Sequence, residues 1–290
     1  MNNLTYNSGM KHILCLNIYD VCFRINSAYL NLIERIGQDF FVYQVGTESI
    51  DKKEVIELNT FLENAQAERK DIVFKDGPVV RMCHKSKDAD IFCEKIERLH
   101  EITYLYILSV LGKKLDLRGI HRIHASAVSF ESGRAALFVG ASGIGKSHLA
   151  YFLKGETLSD DTIFLDHHGN VYPLLTRRGF CKKRDKGIHS DDMYLLKRYE
   201  YGEKFLIPIK EKTKQEVYKL DSIYLLKISD ENFVKSANFL DRSFYFFLYQ
   251  LIGLGTPQII EFFWEPGIKD FFVKAKIFFL RLRLYFKLLF

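Results

Sequence analysis

The chain has 290 residues, of which 48% are hydrophobic and 14% aromatic, and its formal net charge is +6. This composition excludes an intrinsically disordered chain, and the length allows one large domain or two small ones. The mild positive charge suits an anionic ligand without indicating a nucleic-acid partner. The sequence shows no secretory leader, no run of 18 apolar residues and no C-x-x-C pair among its five cysteines. We therefore expect a cytoplasmic protein with reduced thiols and no transmembrane segment.

Residues 1–112 predict an N-terminal α+β unit. Its expected elements, in chain order, are strands at 13–18 and 21–25 joined at Tyr19-Asp20, a helix over 28–36, a strand at 40–45, a helix near 56–68, a strand at 72–74 and a long helix from 91 to 112. Asn26 and Ser27 are candidate caps for the first helix, because their side chains accept hydrogen bonds from free backbone N–H groups. Gly112 is the predicted end of the last helix.

Residues 113–290 predict a second unit. Its expected elements are strands across 117–130 that lead through a turn at 131–134 into a strand ending at 139, strands at 158–165, 171–174 and 220–228, and a helix over 239–251. The basic segment 176–192 predicts a loop, which is either a solvated surface or a mobile segment that brings cations to a substrate. The tail, 271–290, alternates Leu with Arg at strand period. We favour a final packed element, a strand or a helix–strand end, over a basic amphipathic segment on an anionic membrane.

One segment, from Ala135 to Ser147, has the form of an apolar strand, a glycine-rich turn and the start of a helix. Its spacing, G-x-x-x-x-G-K-S, is the P-loop pattern, in which backbone N–H groups cradle phosphates; the alternative is a chance glycine turn. Lys146 is predicted to reach the β- and γ-phosphates, and the hydroxyl of Ser147 to bind Mg²⁺. The predicted nucleotide-binding residues are Gly140, Ala141, Ser142, Gly143, Ile144, Gly145, Lys146, Ser147 and His148.

Acids and histidines near this loop are candidates for phosphoryl-transfer chemistry. Asp160 and Asp161 offer one carboxylate as the base and one for Mg²⁺, or else they only satisfy loop backbone. His124 is either a hydrogen-bonded core residue or an imidazole beside the γ-phosphate, whereas His121 is predicted to lie at the surface. Asp166 follows an apolar strand and is the candidate Walker-B acid if the chain is a P-loop ATPase.

Together these segments resemble the catalytic segment of the HPr kinase/phosphorylase family over about residues 118–175. The resemblance is carried by His124-Ala125-Ser126-Ala127, by the glycine-rich loop and by Ser159-Asp160-Asp161. It implies an α/β (mixed α+β) catalytic domain related in fold to ATP-dependent phosphoenolpyruvate carboxykinase. By position, it also implies that Asp160 is the general base, that Asp161 is a Mg²⁺ ligand and that His124 is the active-site histidine.

The chain also departs from that family. The glycine-rich segment that serves HPr is absent after residue 175, and the first 110 residues do not resemble the family's regulatory domain. The further acidic metal ligand has only Asp185, Asp191 and Asp192 as local candidates. The resemblance thus implies an ATP- and Mg²⁺-dependent kinase that acts on a hydroxyl of a peptide, protein or small molecule. The alternatives are a non-catalytic nucleotide-binding regulatory or assembly subunit and a P-loop ATPase; no nucleic acid is expected, and a homo-oligomer is possible.

Overall fold

The computed structural model shows a mixed α/β protein with several sheets. It describes residues 11–50, 54–63, 72–74, 80–85, 88–131, 133–141, 143–180, 193–198, 202–227, 237–252 and 268–289. The chain divides into two compact units, Met1–Ile107 with Ile188–Lys210 and Leu108–Gly187 with Glu211–Phe290. Among the helices in the described ranges, none has the length and hydropathy that a membrane span requires. The division at residues 1–112 and 113–290 stays a prediction.

The elements up to residue 117 are β1 (His12–Ile18), β2 (Val21–Ser27), α1 (Leu30–Asp39), β3 (Gln44–Val45), β4 (Val55–Phe61), β5 (Ile72–Phe74), β6 (Val80–Lys85), β7 (Asp88–Cys93) and α2 (Ile96–Leu117). The strands that follow are β8 (Ile120–Ile123), β9 (Ala125–Ser129), β10 (Arg134–Val139), β11 (Glu156–Ser159), β12 (Ile163–Asp166), β13 (Asn170–Tyr172), β14 (Arg177–Phe180), β15 (Tyr194–Arg198), β16 (Gly202–Pro208) and β17 (Tyr218–Leu225). The later helices are α3 (Lys146–Phe152), α4 (Phe239–Phe246), a π-helical turn (Phe247–Ile252) and α5 (Ile268–Leu289).

The first unit is built on a seven-stranded sheet with the order β3-β1-β2-β4-β7-β6-β5. Strands β2, β4 and β7 run parallel, and the remaining neighbours are antiparallel. The β15–β16 hairpin belongs to this unit, and Tyr194 donates a hydrogen bond to the buried carboxylate of Asp39. His100 contacts the other oxygen of that carboxylate at 2.9 Å. A buried polar cluster thus ties a distant part of the chain to α1 and α2.

The second unit is built on another seven-stranded sheet, with the order β11-β9-β10-β17-β13-β12-β8. Strand β10, which leads into the glycine-rich loop, pairs parallel with β17 and antiparallel with β9. Strand β9 is second and strand β8 is last in this order, so they lie near opposite edges of the sheet. In sequence, however, only His124 separates them. Since one residue spans only about 3.8 Å between neighbouring Cα atoms, the sheet must curl until its margins meet. We call the place where they meet the seam.

Helices cover both faces of this sheet, as the alternation of β10 dictates. Residues on one face pack with α4 and α5, in a cluster that includes Ala135, Leu137, Val139, Tyr245, Phe246, Leu284 and Leu289. Residues on the other face pack with α3, in a cluster of Val128, Ala136, Phe138 and Ala150. Successive side chains of β10 point to opposite faces of the sheet. Its uninterrupted run of apolar residues is therefore buried between two layers of helices.

A buried ion cluster joins α2, β8 and α5 within the second unit. The carboxylate of Asp116, which is fully buried, accepts hydrogen bonds from Arg281 at 2.5 and 3.1 Å. Its oxygens also lie 2.8 Å from Nδ1 of His121 and 3.7 Å from Arg122. His121 is therefore buried in this cluster, and the prediction that it lies at the surface is wrong.

Several predicted elements of the first unit are confirmed or shifted. Strands β1, β2 and β5 are confirmed, with Tyr19 and Asp20 at positive φ in the turn. Helix α1 begins at Leu30 and has Tyr29 as its N-cap, while Ser27 accepts a hydrogen bond from the N–H of Tyr29 instead of capping the helix. The predicted strand at 40–45 is mostly wrong, since its first half is a 3₁₀ turn and only Gln44–Val45 is a strand.

The helix predicted near 56–68 is wrong over its first part. Residues Val55–Phe61 form β4, and their burial alternates along the strand, with Ile56, Leu58 and Thr60 turned inward. This period of two outweighs the weak helical spacing of the same apolar residues. Residues 64–68 lie outside the described part of the chain.

Three predictions for the second unit need correction. The tail is helix α5 rather than a strand, since its buried residues Ile277, Arg281 and Leu284 recur at helical spacing. The basic segment begins as strand β14, and its residues 181–192 lie outside the described ranges. The strand predicted at 158–165 is two strands, β11 and β12, with Asp160 and Asp161 in the connection between them.

The predicted helix end at Gly112 is also wrong, because α2 continues to Leu117. A Cβ atom at Gly112 would lie 2.2 Å from both Cζ and Nε of Arg122. Glycine is therefore needed for the close approach of this buried guanidinium rather than for ending the helix.

We expect Gly112→Ala to lower the free energy of unfolding by about 1–3 kcal/mol, measured by urea denaturation. In an ordinary helix interior the same change stabilises by roughly 0.5–1 kcal/mol, so the sign of the effect is diagnostic. A stabilised Gly112→Ala variant would show that Arg122 moves aside at no cost.

Candidate functional site

The glycine-rich loop leaves β10 and enters α3 with the backbone that a phosphate cradle needs. Gly143 and Gly145 have φ of 78° and 106°, in the left-handed region that residues with a side chain rarely adopt. Neither would have a neighbour within 4 Å of an added Cβ, so the backbone conformation itself requires glycine. At the start of the loop, the N–H of Gly140 donates to the hydroxyl of Tyr245 at 2.8 Å. The loop is thus held by α4 from the opposite side of the sheet.

Lys146 is buried at the first position of α3, and its ammonium group points back into the loop. Its Nζ donates to the carbonyl oxygens of Gly140 and Ala141 at 3.0 and 3.1 Å. A third contact, at 3.1 Å, joins Nζ to Nε2 of His124. A buried cation with hydrogen-bond acceptors around it is stable in place, and its charge lies at the centre of the glycine-rich loop.

His124 connects the loop to the acids that follow β11, since β9 lies between β10 and β11 in the sheet. An ammonium group can only donate, so Nε2 accepts from Lys146 and the ring proton resides on Nδ1. That nitrogen lies 3.5 Å from Oδ1 of Asp161, whose side chain is half exposed. The imidazole therefore lies between a buried cation and an accessible carboxylate.

Asp160 is buried where β11 ends, and contacts from β9 and β14 hold it. The hydroxyl of Ser126, on β9, donates to its carbonyl oxygen, and the N–H of Gly179 donates to its Oδ2 at 3.0 Å. The side chain of Asp160 therefore has a fixed orientation, while that of Asp161 is open to solvent. Consecutive acids at the end of a strand thus have different environments, as two different chemical roles require.

The structure thus brings together four residues that sequence analysis selected: His124, Lys146, Asp160 and Asp161. We call them the seam site. They come from three separate segments of the fold: the β8–β9 link, the start of α3 and the two positions that follow β11. Of the other predicted loop residues, Gly145, Ile144 and Ser147 are half-buried, while Ala141, Gly143 and His148 are exposed. Ser142 lies outside the described ranges, as do Asp185, Asp191 and Asp192.

The contacts of two further residues, Arg178 and Tyr245, could not be predicted from the sequence. The guanidinium of Arg178 donates to the hydroxyl of Thr157 at 2.5 Å and lies over the ring of Tyr151 at 5.3 Å. Tyr245 reaches Gly140 across 105 positions of sequence. Long-range contacts of this kind depend on the assembled sheet, whereas the basic character of the segment that begins β14 was visible as a charge run.

Asp166, the candidate Walker-B acid, is engaged elsewhere. Its carboxylate accepts hydrogen bonds from the N–H groups of His168 and Asn170, from the Asn170 side chain and from Tyr172. Burial alone would raise the pKa of Asp166, but these hydrogen bonds lower it below its usual range. Asn170, which Asp166 contacts, pairs with Lys219 of β17, and Lys219 in turn pairs with Arg134 of β10. Arg134 is the first residue of β10, and the glycine-rich loop begins about 20 Å further along that strand. Asp166 therefore stabilises the β12–β13 turn.

The residues present fit a magnesium ion bound together with a nucleotide. Mg²⁺ is usually held by one or two carboxylates plus phosphate oxygens and water, and the exposed carboxylate of Asp161 and the hydroxyl of Ser147 are oxygen ligands of this kind. Within the described ranges, no group of three or more His, Cys, Asp or Glu side chains forms a metal site by itself. By sequence, no known protein family and no curated protein matches the chain.

Proposed function

We propose that this protein is an ATP-dependent kinase that transfers the γ-phosphoryl group to a hydroxyl of a peptide, protein or small molecule. One observation carries the proposal: the lysine of a P-loop sequence, a histidine and a pair of acids meet at the seam site. Nζ of Lys146 and Nε2 of His124 are 3.1 Å apart although 22 positions separate them in the chain. A chance glycine turn before a helix has no reason to assemble these partners.

In this proposal, the loop from Gly140 to Ser147 binds the phosphates of ATP through its backbone N–H groups. Lys146 exchanges its carbonyl contacts for phosphate oxygens, because an ammonium group gains more from an anion than from a neutral acceptor. Ser147 and Asp161 would hold Mg²⁺, which would neutralise phosphate charge. His124 contacts Lys146 through one ring nitrogen and faces Asp161 with the other, and so keeps these two side chains in register.

Asp160 acts as the general base. Its carboxylate takes the proton of the acceptor hydroxyl while the hydroxyl oxygen forms a bond to the γ-phosphorus and the bond from that phosphorus to the β–γ bridging oxygen breaks. ADP leaves with the electrons of the broken bond. The hydrogen bond from Gly179 fixes one oxygen of Asp160 and thereby sets the direction of the other. Arg178, anchored on Thr157 and Tyr151, is the cation of β14 that we assign to the charge that develops during transfer.

We further propose that the second unit is a P-loop catalytic domain like that of the HPr kinase/phosphorylase family. The mixed sheet with the glycine-rich loop after β10, and the histidine and acids at adjacent ends of the paired strands β9 and β11, support this assignment. The position of Asp166 argues against a P-loop ATPase that uses that residue as its Walker-B acid. The acceptor is proposed only as a class, since the resemblance ends near residue 175.

Nucleotide binding gives the first test. We expect Lys146→Ala to weaken the affinity for Mg–ATP by more than about tenfold in calorimetric titration, because a charge-assisted contact to phosphate is lost. Lys212→Ala is the matched control, since Lys212 is an exposed lysine away from the seam site. Wild-type protein that does not bind ATP, or a Lys146→Ala variant that binds as well as wild type, would contradict the proposal.

Transfer is then tested with γ-labelled ATP and separate peptide, protein and small-molecule fractions of a cell extract. A kinase moves the label to one of these fractions and releases ADP. Binding of ATP with neither transfer nor hydrolysis would favour a non-catalytic nucleotide-binding subunit instead. An acceptor found in this way is confirmed by a mass increase of one phosphate.

A further inference from the structure

Helix α5 presents an uncovered aromatic face. Phe272, Phe279 and Phe286 recur every seven residues, which is close to two helical turns, so they lie along one line of the helix surface. Their exposed fractions are 66%, 65% and 50%. Phe271 and Phe278 form a parallel line beside them and are also exposed. Monomeric proteins rarely leave so many contiguous large apolar side chains in water without a partner.

Cations line one side of this aromatic face. Lys276, Arg283 and Lys287 are exposed and follow one another at spacings of seven and four residues, which places them on a single line adjacent to Phe272, Phe279 and Phe286. No Asp or Glu occurs between Phe271 and Phe290. The exposed side of α5 is therefore apolar with a positive margin.

The opposite side of α5 is firmly held. Ile277 and Leu284 are buried, and Arg281 forms the ion pair with Asp116. The carbonyl of Arg281 also accepts a hydrogen bond from Gln250, and the hydroxyl of Tyr285 donates to the carbonyl of Ser243 at 3.4 Å. These contacts fix the rotation of the helix, so the aromatic face cannot turn inward without breaking a buried ion pair.

We propose that this face of α5 docks the protein on the surface of an anionic lipid bilayer. A helix that lies in the interface buries phenylalanines at the boundary of the acyl chains and places lysine and arginine at the headgroups, and α5 has both components. A second copy of the chain is a poorer occupant: two α5 faces would bring two sets of cations together with no acid on either face to pair with them. Charge complementarity therefore favours an anionic lipid surface over a second copy of the chain.

The test uses the full chain and flotation with vesicles of phosphatidylcholine, either alone or with about one third phosphatidylglycerol. We expect binding to the anionic vesicles that weakens in about 0.5 M salt, because the headgroup attraction is screened. The triple variant Phe272→Gln/Phe279→Gln/Phe286→Gln and the double variant Lys276→Glu/Arg283→Glu should each lower the vesicle partition coefficient by about tenfold or more.

Matched controls distinguish the effect of this face of α5 on vesicle binding from the effect of exposed phenylalanines or net charge in general. Phe41→Gln/Phe130→Gln removes exposed phenylalanines that are not part of α5, and Lys11→Glu/Lys212→Glu makes the same change of net charge at exposed lysines outside α5. Both should bind anionic vesicles as wild type does, and circular dichroism should show that every variant is folded. Absence of vesicle binding, equal binding to neutral vesicles, or unchanged binding by the α5 variants would overturn the proposal. A wild-type dimer that the phenylalanine variant converts to a monomer would assign the face to a second copy instead.

Discussion

Replacement of Asp160 by asparagine is expected to slow phosphoryl transfer about 10²- to 10⁴-fold, because a general base contributes a factor of this size. The affinity for Mg–ATP should change little, since the predicted phosphate contacts come from the glycine-rich loop and Lys146. Asparagine retains a carbonyl oxygen that can accept the hydrogen bond from Gly179, so the connection after β11 should keep its shape. Transfer is measured as label moved from γ-labelled ATP to the acceptor fraction, and affinity by calorimetry.

The control for this result is Asp166→Asn. It makes the same chemical change at an acid of the same sheet, but that carboxylate serves the β12–β13 turn. We expect Asp166→Asn to lower thermal stability and to keep most of the transfer rate at a temperature where it is folded. Full transfer by Asp160→Asn would show that the base has been wrongly assigned. Loss of transfer only in Asp166→Asn would instead support a P-loop ATPase.

A second large effect is expected at Asp116, but on stability instead of activity. The side chains of Asp116, Arg122 and Arg281 are all almost fully buried. Removing the carboxylate charge by Asp116→Asn leaves two guanidinium cations in a low-dielectric interior. We expect the free energy of unfolding to fall by about 3–5 kcal/mol, as measured by urea denaturation, because an uncompensated buried charge costs this much.

Asp221→Asn is the matched control for this prediction. Asp221 also pairs with an arginine, Arg134, at 2.9 Å, but both side chains are largely exposed to solvent. An exposed pair contributes roughly 0–1 kcal/mol, so this variant should be nearly as stable as wild type. Adding Arg281→Met to Asp116→Asn should cost less than the sum of the two single changes, since it removes one of the stranded cations. Equal losses at Asp116 and Asp221 would contradict the importance of burial.

The same cluster predicts a pH dependence. Burial alone would raise the pKa of Asp116, but the charge of Arg281, the hydrogen bond from His121 and the charge of Arg122 outweigh it and lower the pKa from 3.8 to about 2. The folded state thus binds a proton less readily than the unfolded chain. The stabilisation is complete above pH 3.8 and is lost as the pH falls through about 2. The stability difference between wild type and Asp116→Asn should therefore shrink in acid, by an amount on the order of 2 kcal/mol.

The seam site was visible in the sequence because its members lie in short local patterns. A glycine-rich turn with a following lysine, and two adjacent acids, can be recognised without any tertiary contact. What joins them could not be read in this way. The contact between His124 and Lys146 requires β9 to lie beside β10, and the one between Asp116 and Arg281 spans 165 positions. Such contacts depend on which strands become neighbours, and a local pattern does not contain that information.

The errors of secondary structure have a related cause. In the tail, Leu and Arg alternate between residues 280 and 284 and imitate a strand, although the longer segment buries residues at helical spacing. Arg281 contributed most to the wrong strand prediction, because an arginine is expected to face solvent unless a buried partner such as Asp116 is known. The predicted end of α2 at Gly112 failed for the same reason, because the glycine accommodates Arg122 from another element. In each case a tertiary contact overrode a local preference.

The link between β8 and β9 bears on how such a protein can change over time. A connection of one residue, His124, cannot accept an insertion or a deletion without shifting one strand against its partners and turning every following side chain to the opposite face. The position of the histidine at the start of β9 therefore depends on the sheet itself. New acceptors would have to arise through substitutions in other parts of the chain. Under the proposed function, substitutions elsewhere in the chain would change the choice of acceptor without changing the residues that carry out the transfer.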